Sequence, residues 1–129
     1  MIFQKEHIDM IVKGTKTQTR RVHRGRYKVG HSYAIQPCRR CKGIPSFRIV
    51  MDKIWHEDIV RPLSLESSPA FNIISVKDAK AEGGYSPAEF EILFRKLNPN
   101  WDETTGRWAF EFHVIEVNKG NERLDKNED

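Results

Sequence analysis

Apolar positions recur at helical spacing near the start of the chain, at strand spacing through its middle, and at helical and then strand spacing toward its end. Ile8, Ile11 and Val12 share one face of a helix predicted over Gln4 to Lys13, and Gly14 stands where a left-handed C-cap ends it. Thr15 to Val22 alternates and is rich in β-branched threonine, which predicts an extended turn leading into a strand. Lys28-Val29-Gly30 reads as a turn before a strand through Tyr33 and Ile35 to Pro37, and Phe47, Ile49 and Met51 alternate on the next. Arg61 to Ala70, with Pro62 and Pro69, reads as a loop. Ser75 with Asp78 forms a capping box that opens a short helix closed by Gly83-Gly84. Ser86-Pro87-Ala88-Glu89 opens another, whose stripe of Phe90, Leu93, Phe94 and Leu97 runs to the stop at Asn98-Pro99. Trp108, Phe110, Phe112 and Val114 then alternate with Ala109, Glu111, His113 and Ile115, the pattern of a closing strand with one buried face. This order of elements predicts one α+β domain over residues 1–117 with a small curved sheet or barrel, followed by a polar tail over residues 118–129.

Composition narrows the class. A mean hydropathy of −0.65 is polar, yet a 38% hydrophobic fraction is enough for a core, which excludes disorder over the full length. No stretch approaches the roughly 18 apolar residues of a membrane span, and charges interrupt the first residues where a signal peptide is apolar, so the expected location is cytoplasmic. Charge is segregated along the chain. Between Met10 and Met51 there is no acid but there are 11 basic residues, while the other 11 basic residues are outnumbered by all 18 acids, so the rest sums to −7. A one-signed stretch of this size self-repels unless an anion neutralises it, which points to RNA or a nucleotide; the alternative is a solvated surface serving solubility. Membrane-surface binding fits less well, because Arg20 to Gly30 has no apolar helical face to insert.

The run Gly14-Thr15-Lys16-Thr17-Gln18-Thr19-Arg20-Arg21, placed after an amphipathic helix, resembles the GxKTxTxR signature of the ASCH domain family, which has a PUA-like fold. The Lys28-Val29-Gly30 turn, the Tyr33 to Pro37 strand, the Asp78 to Gly83 helix end and the Trp108 to Phe112 strand extend the resemblance from about Ile2 to Val117. It implies a β-barrel of about five or six strands flanked by short helices, with a cleft lined by the motif. It also implies RNA binding. In one small bacterial branch of the family it implies hydrolysis of the acetyl amide of acetylated cytidine by a lysine, a threonine and a glutamate, which fall by position on Lys16, Thr19 and Glu82. The Cys38 to Cys41 loop and the long Trp55 to Ile74 connection depart from the family pattern.

Amide hydrolysis needs a nucleophile, a base, an acid and oxyanion donors. Thr19 would be the nucleophile, Lys16 a base if Arg20 and Arg21 lower its pKa, and Glu82 the acid near a helix end. Lys16 and Thr19 are an odd number apart, so on a regular strand they face opposite ways; they converge only if the Gly14 to Thr17 turn is irregular. For nucleic-acid or ligand binding the candidates are Lys16, Thr17, Arg20, Arg21, Arg24, Arg26, Arg39 and Arg40, with Tyr27 and Tyr85 as stacking options. The competing classes are a non-catalytic RNA-binding module in translation or its regulation, and a ribonuclease, for which His23 and His31 are the candidate bases. No cofactor is expected. Cys38 and Cys41 supply half of a zinc site, which His31, His56 or a second chain would have to complete; a thioredoxin-like role and plain loop cysteines are the alternatives.

Overall fold

The computed structural model describes residues 1–57, 74–102 and 105–117. The predicted loop from Arg61 to Ala70 and the tail over residues 118–129 lie outside them. The elements are α1 (Lys5–Lys13), β1 (Gln18–Arg21), β2 (Ser32–Ala34), β3 (Phe47–Glu57), α2 (Val76–Ala81), α3 (Pro87–Leu97) and β4 (Arg107–Glu116). Local signals set their ends. Gly14 takes φ +83°, the left-handed conformation that stops α1 with little steric cost. The Ser75 hydroxyl accepts the Asp78 N–H at the start of α2, and Ser86 and Glu89 form a reciprocal capping box around Pro87 at the start of α3.

The four strands make one antiparallel sheet in the order β1-β4-β3-β2, with β3 and β4 paired along nearly their whole length. Between Met51 and Lys53 the β3–β4 register shifts, a bulge that leaves Asp52 beside the His113 ring at 2.9 Å. The α+β class stands, but the expected barrel of five or six strands does not: among the described residues the sheet has four strands and is not closed. The first residues come nearest to closing it. Phe3 donates to the Gln36 carbonyl and Gln36 to the Met1 carbonyl, both at 2.9 Å, while the Arg21 side chain reaches from β1 to the Ile2 carbonyl. This pairing is one parallel bridge long and ends as the chain turns into α1 at Lys5.

Apolar side chains gather in two clusters. Phe3, Ile8, Ile11, Ile35, Ile49, Met51, Phe110 and Phe112 form the larger, and Ile74, Ala79, Phe90 and Phe94 the smaller, beneath α2 and α3. Strand β4 departs from the expected one-sided pattern. Arg107 and Ala109 are buried along with Phe110 and Phe112, so the first half of the strand is covered on both faces.

Candidate functional site

The turn from Gly14 to Thr17 is irregular, as the convergence of Lys16 and Thr19 requires. The Thr15 and Lys16 N–H groups both donate to the Met10 carbonyl, the Thr17 N–H donates to the Ala81 carbonyl at 2.7 Å, and the Thr17 carbonyl accepts the Phe112 N–H at 2.9 Å. Clamped between α1, α2 and β4, the turn directs Lys16 inward ahead of the strand. Lys16 is 2% exposed and Thr19 5%. Both border a cleft of about 280 Å³, together with Phe3, His7, Arg21 and Phe94.

Glu82 lies directly behind the lysine. The Lys16 Nζ donates to Glu82 Oε1 at 2.9 Å and to the Glu82 carbonyl at 2.8 Å, while Arg20 Nη1 donates to Glu82 Oε2 at 2.9 Å. Burial pushes Lys16 below the usual lysine range, against the pull of Glu82, and the Arg21 and Arg20 charges add to the push. The structure therefore brings Lys16, Thr19 and Glu82 to one place, with Glu82 reaching the cleft through Lys16 rather than facing it from the opposite side.

Arg20 also borders the cleft, but its guanidinium is held by carboxylates inside the protein. Its Nε and Nη2 grip Glu57 at 2.8 Å each, its Nη1 donates to Gln18 Oε1 and Glu82, and its Nη2 also reaches Asp78 at 3.4 Å. These bonds occupy all five guanidinium donors. Burial opposes the charge on Glu57, but its hydrogen bonds with Arg20 win and hold the carboxyl below the usual range. Glu57 also accepts from Arg107 Nε at 3.1 Å, and Arg107 forms a two-bond pair with Glu91 at 2.9 and 2.7 Å. Arg107 is fully buried, its guanidinium carbon 4.7 Å from the Phe94 ring centroid. A continuous chain of alternating charges thus runs Lys16, Glu82, Arg20, Glu57, Arg107, Glu91, joining the motif turn to both C-terminal helices and to β3 and β4.

Of the remaining candidates, one is at the cleft. Arg21 borders the cleft, with its Nε 3.4 Å from Thr19 Oγ1. Thr17 is half-buried and does not line the cleft, and Arg24, Arg26, Arg39 and Arg40 are exposed outside it. Tyr27 packs edge-on against Tyr33 and Phe110 in the core. His23 and His31, the candidate ribonuclease bases, are exposed and do not line this cleft; the histidine that does is His7. Its Nε2 lies 3.0 Å from the Tyr85 hydroxyl, and burial together with the Lys16 charge lowers its pKa to about 4, so it is neutral near pH 7. Cys38 and Cys41 are joined to each other as a disulfide, a state in which neither is a thiolate ligand. Of the residues offered to complete a zinc site with them, His56 packs on Trp108 and His31 is exposed.

Sequence reasoning missed His7, Gln18, Glu57, Glu91 and Arg107. One signal was available: Glu91 sits beside Phe90 and three residues before Phe94 on the apolar side of α3, where a carboxylate needs a buried cation.

Solved structures share this architecture. An ASCH domain from Lactobacillus crispatus JV V101 matches with a TM-score of 0.63 at 17% identity, covering 86% of this chain and 71% of its own. A protein from Enterococcus faecalis V583 of the family DUF984 matches at 0.54 and 18% identity, with the same coverage. The hypothetical protein PH0355 matches at 0.58 and 18% identity, covering 89% of this chain and 96% of its own. No family model and no curated protein matches the sequence. The fold is that of an ASCH domain, in agreement with the resemblance carried by Gly14 to Arg21.

Proposed function

Taking the ASCH-type fold as the premise, we propose that the cleft binds a nucleoside, free or as part of an RNA, and that Lys16, Thr19 and Glu82 hydrolyse the acetyl amide of acetylated cytidine. The observation that carries this reading is the Lys16–Glu82 pair, buried at 2.9 Å behind a cleft that Lys16 and Thr19 both line. The charges of Lys16 and Arg20 are matched inside the protein by Glu82, Glu57 and Asp78, and Phe3 and Phe94 stand in the walls. Such a cavity suits a ring with apolar faces and a polar edge, with Arg21 at its border. The exposed Arg24, Arg26, Arg39 and Arg40 lie outside it, where an RNA backbone would be drawn.

In this mechanism a proton moves from Lys16 to Glu82 along their hydrogen bond and leaves the amine neutral, which burial favours. Thr19 Oγ1 attacks the acetyl carbonyl, Lys16 takes the threonine proton, and Arg21 stabilises the oxyanion. Lys16 passes that proton to the exocyclic nitrogen as the C–N bond breaks. Water then hydrolyses the acetyl-threonine ester to acetate, restoring the threonine hydroxyl.

The test is acetate release from acetylcytidine by the wild-type protein beside Thr19→Ala and Lys16→Ala. Release that falls at least about 100-fold in both variants is expected; undiminished turnover in either overturns the mechanism. If the wild type releases no acetate, cytidine affinity against salt decides the binding half. Affinity that is nearly independent of salt supports the nucleoside cleft, and binding of RNA alone, falling steeply with salt, supports a phosphate-tracking module instead.

A further inference from the structure

The Cys38 to Cys41 loop is the one sequence motif that the cleft leaves unused. The two cysteines are bonded, with a Cα separation of 5.1 Å, and the loop is anchored on both sides. The Cys41 N–H donates to the Cys38 carbonyl, the Gln36 side chain donates to the Cys41 carbonyl at 2.8 Å, and Ile44 donates to Ile35 at 2.8 Å. Gly43 is pressed so closely on β2 that a Cβ there would stand 2.7 Å from the Ala34 Cβ. Cys38 is exposed and Cys41 half-buried, and Arg39, Arg40 and Lys42 are exposed around them. No acid among the described residues pairs with these three cations.

We propose that Cys38 and Cys41 form a thiol–disulfide exchange site for an anionic low-molecular-mass thiol of the glutathione class. The cationic loop attracts the anion and stabilises the cysteine thiolate that leaves or attacks. In the reducing direction a glutathione thiolate attacks the exposed Cys38 sulfur, the Cys38–Cys41 bond breaks, and Cys41 departs as a thiolate. A second glutathione thiolate displaces Cys38 and yields oxidised glutathione; two electrons pass to the protein and both cysteines take up protons. Gln36 holds the Cys41 carbonyl with its side chain and residues Met1 to Phe3 with its backbone, and Ile2 and Phe3 line the cleft where Arg21 bonds the Ile2 carbonyl.

The experiment follows the reduced full-length protein with two alkylating reagents of similar size, neutral iodoacetamide and anionic iodoacetate, at low and high salt. The cationic loop is expected to favour iodoacetate over iodoacetamide relative to a neutral Cys peptide, with the preference lost at high salt. Arg39→Glu/Arg40→Glu, on exposed positions that leave the core untouched, is expected to slow iodoacetate alkylation about tenfold. Equilibration in glutathione buffers, read by mass spectrometry, is expected to interconvert the dithiol and disulfide. Alkylation with no preference for the anion, unchanged rates in the double variant, or a pair that stays in one state across the buffers would overturn the proposal. So would one zinc per chain that protects both thiols until a chelator is added. None of these readouts depends on nucleoside binding, so the proposal stands or falls separately from the cleft.

Discussion

Replacing Glu82 by glutamine takes a charge away from a point where two buried cations meet. In the native protein Lys16 and Arg20 each donate to a different oxygen of the Glu82 carboxylate at 2.9 Å, and the side chains of Lys16 and Glu82 are 1% and 3% exposed. An amide has one acceptor oxygen, so its NH₂ must face one of the two donors. Arg20 keeps Glu57, Asp78 and Gln18, and the burden falls on Lys16, which retains only the Glu82 carbonyl at 2.8 Å. Breaking a buried pair costs about 3–5 kcal/mol, and the surviving carbonyl bond places this case near 3, a fall in Tm of about 10 °C for a domain of this size.

The loss should depend on pH. Without Glu82 the pKa of Lys16, already lowered by burial, drops further below its unfolded value; the unfolded state then binds more protons than the folded one, and stability rises as pH approaches 10. The assay is urea and thermal unfolding followed by circular dichroism at pH 7 and pH 9.5, for Glu82→Gln, Lys16→Met and the double variant. The double variant is expected to recover most of the loss, because no unpaired charge remains. A Glu82→Gln cost below about 1 kcal/mol, or strictly additive single effects, would refute the claim that these groups are coupled in the interior.

Arg107→Lys is expected to cost about 2–3 kcal/mol in urea unfolding, because an ammonium cannot span both oxygens of Glu91 and the Nε bond to Glu57 or lie across the Phe90 and Phe94 rings; a neutral effect would argue against that geometry. Gly106→Ala puts a Cβ 2.4 Å from the Glu57 carbonyl at a φ of +67°, whereas Gly14→Ala at φ +83° meets nothing within 4 Å. The first should therefore destabilise by more than about 2 kcal/mol and the second by about 1, and a reversed order in melting temperature would count against the packing described at β4. The His7 imidazole resonances should titrate near pH 4 in the folded protein. The unfolded chain takes up that proton near pH 6.5, so stability falls as pH drops from 6.5 to 4, and His7→Gln should flatten that part of the profile.

Short-range physics made much of the chain readable in advance. The ends of α1, α2 and α3 follow from Gly14, Ser75, Ser86 and Pro87, whose conformations and hydrogen bonds involve neighbours within a few residues. The alternation in β3 and β4 marked Ile49, Met51, Phe110 and Phe112 as core because strand period alone assigns a face. The motif turn named Lys16 and Thr19, yet the parity of their spacing set them on opposite faces until the clamped turn from Gly14 to Thr17 showed how both enter one cleft. What the tertiary structure decided was which partner each charge would meet. Arg20 looked like part of a cationic surface, but Glu57, 37 residues away, and Glu82, 62 away, enclose it. Arg107 meets Glu91, 16 residues away, as a buried pair. Sheet closure was likewise a tertiary matter, limited to one bridge by the start of α1. Backbone conformation is fixed by residues nearby in sequence, whereas a buried charge is tolerable only beside a group that the folded chain brings to it.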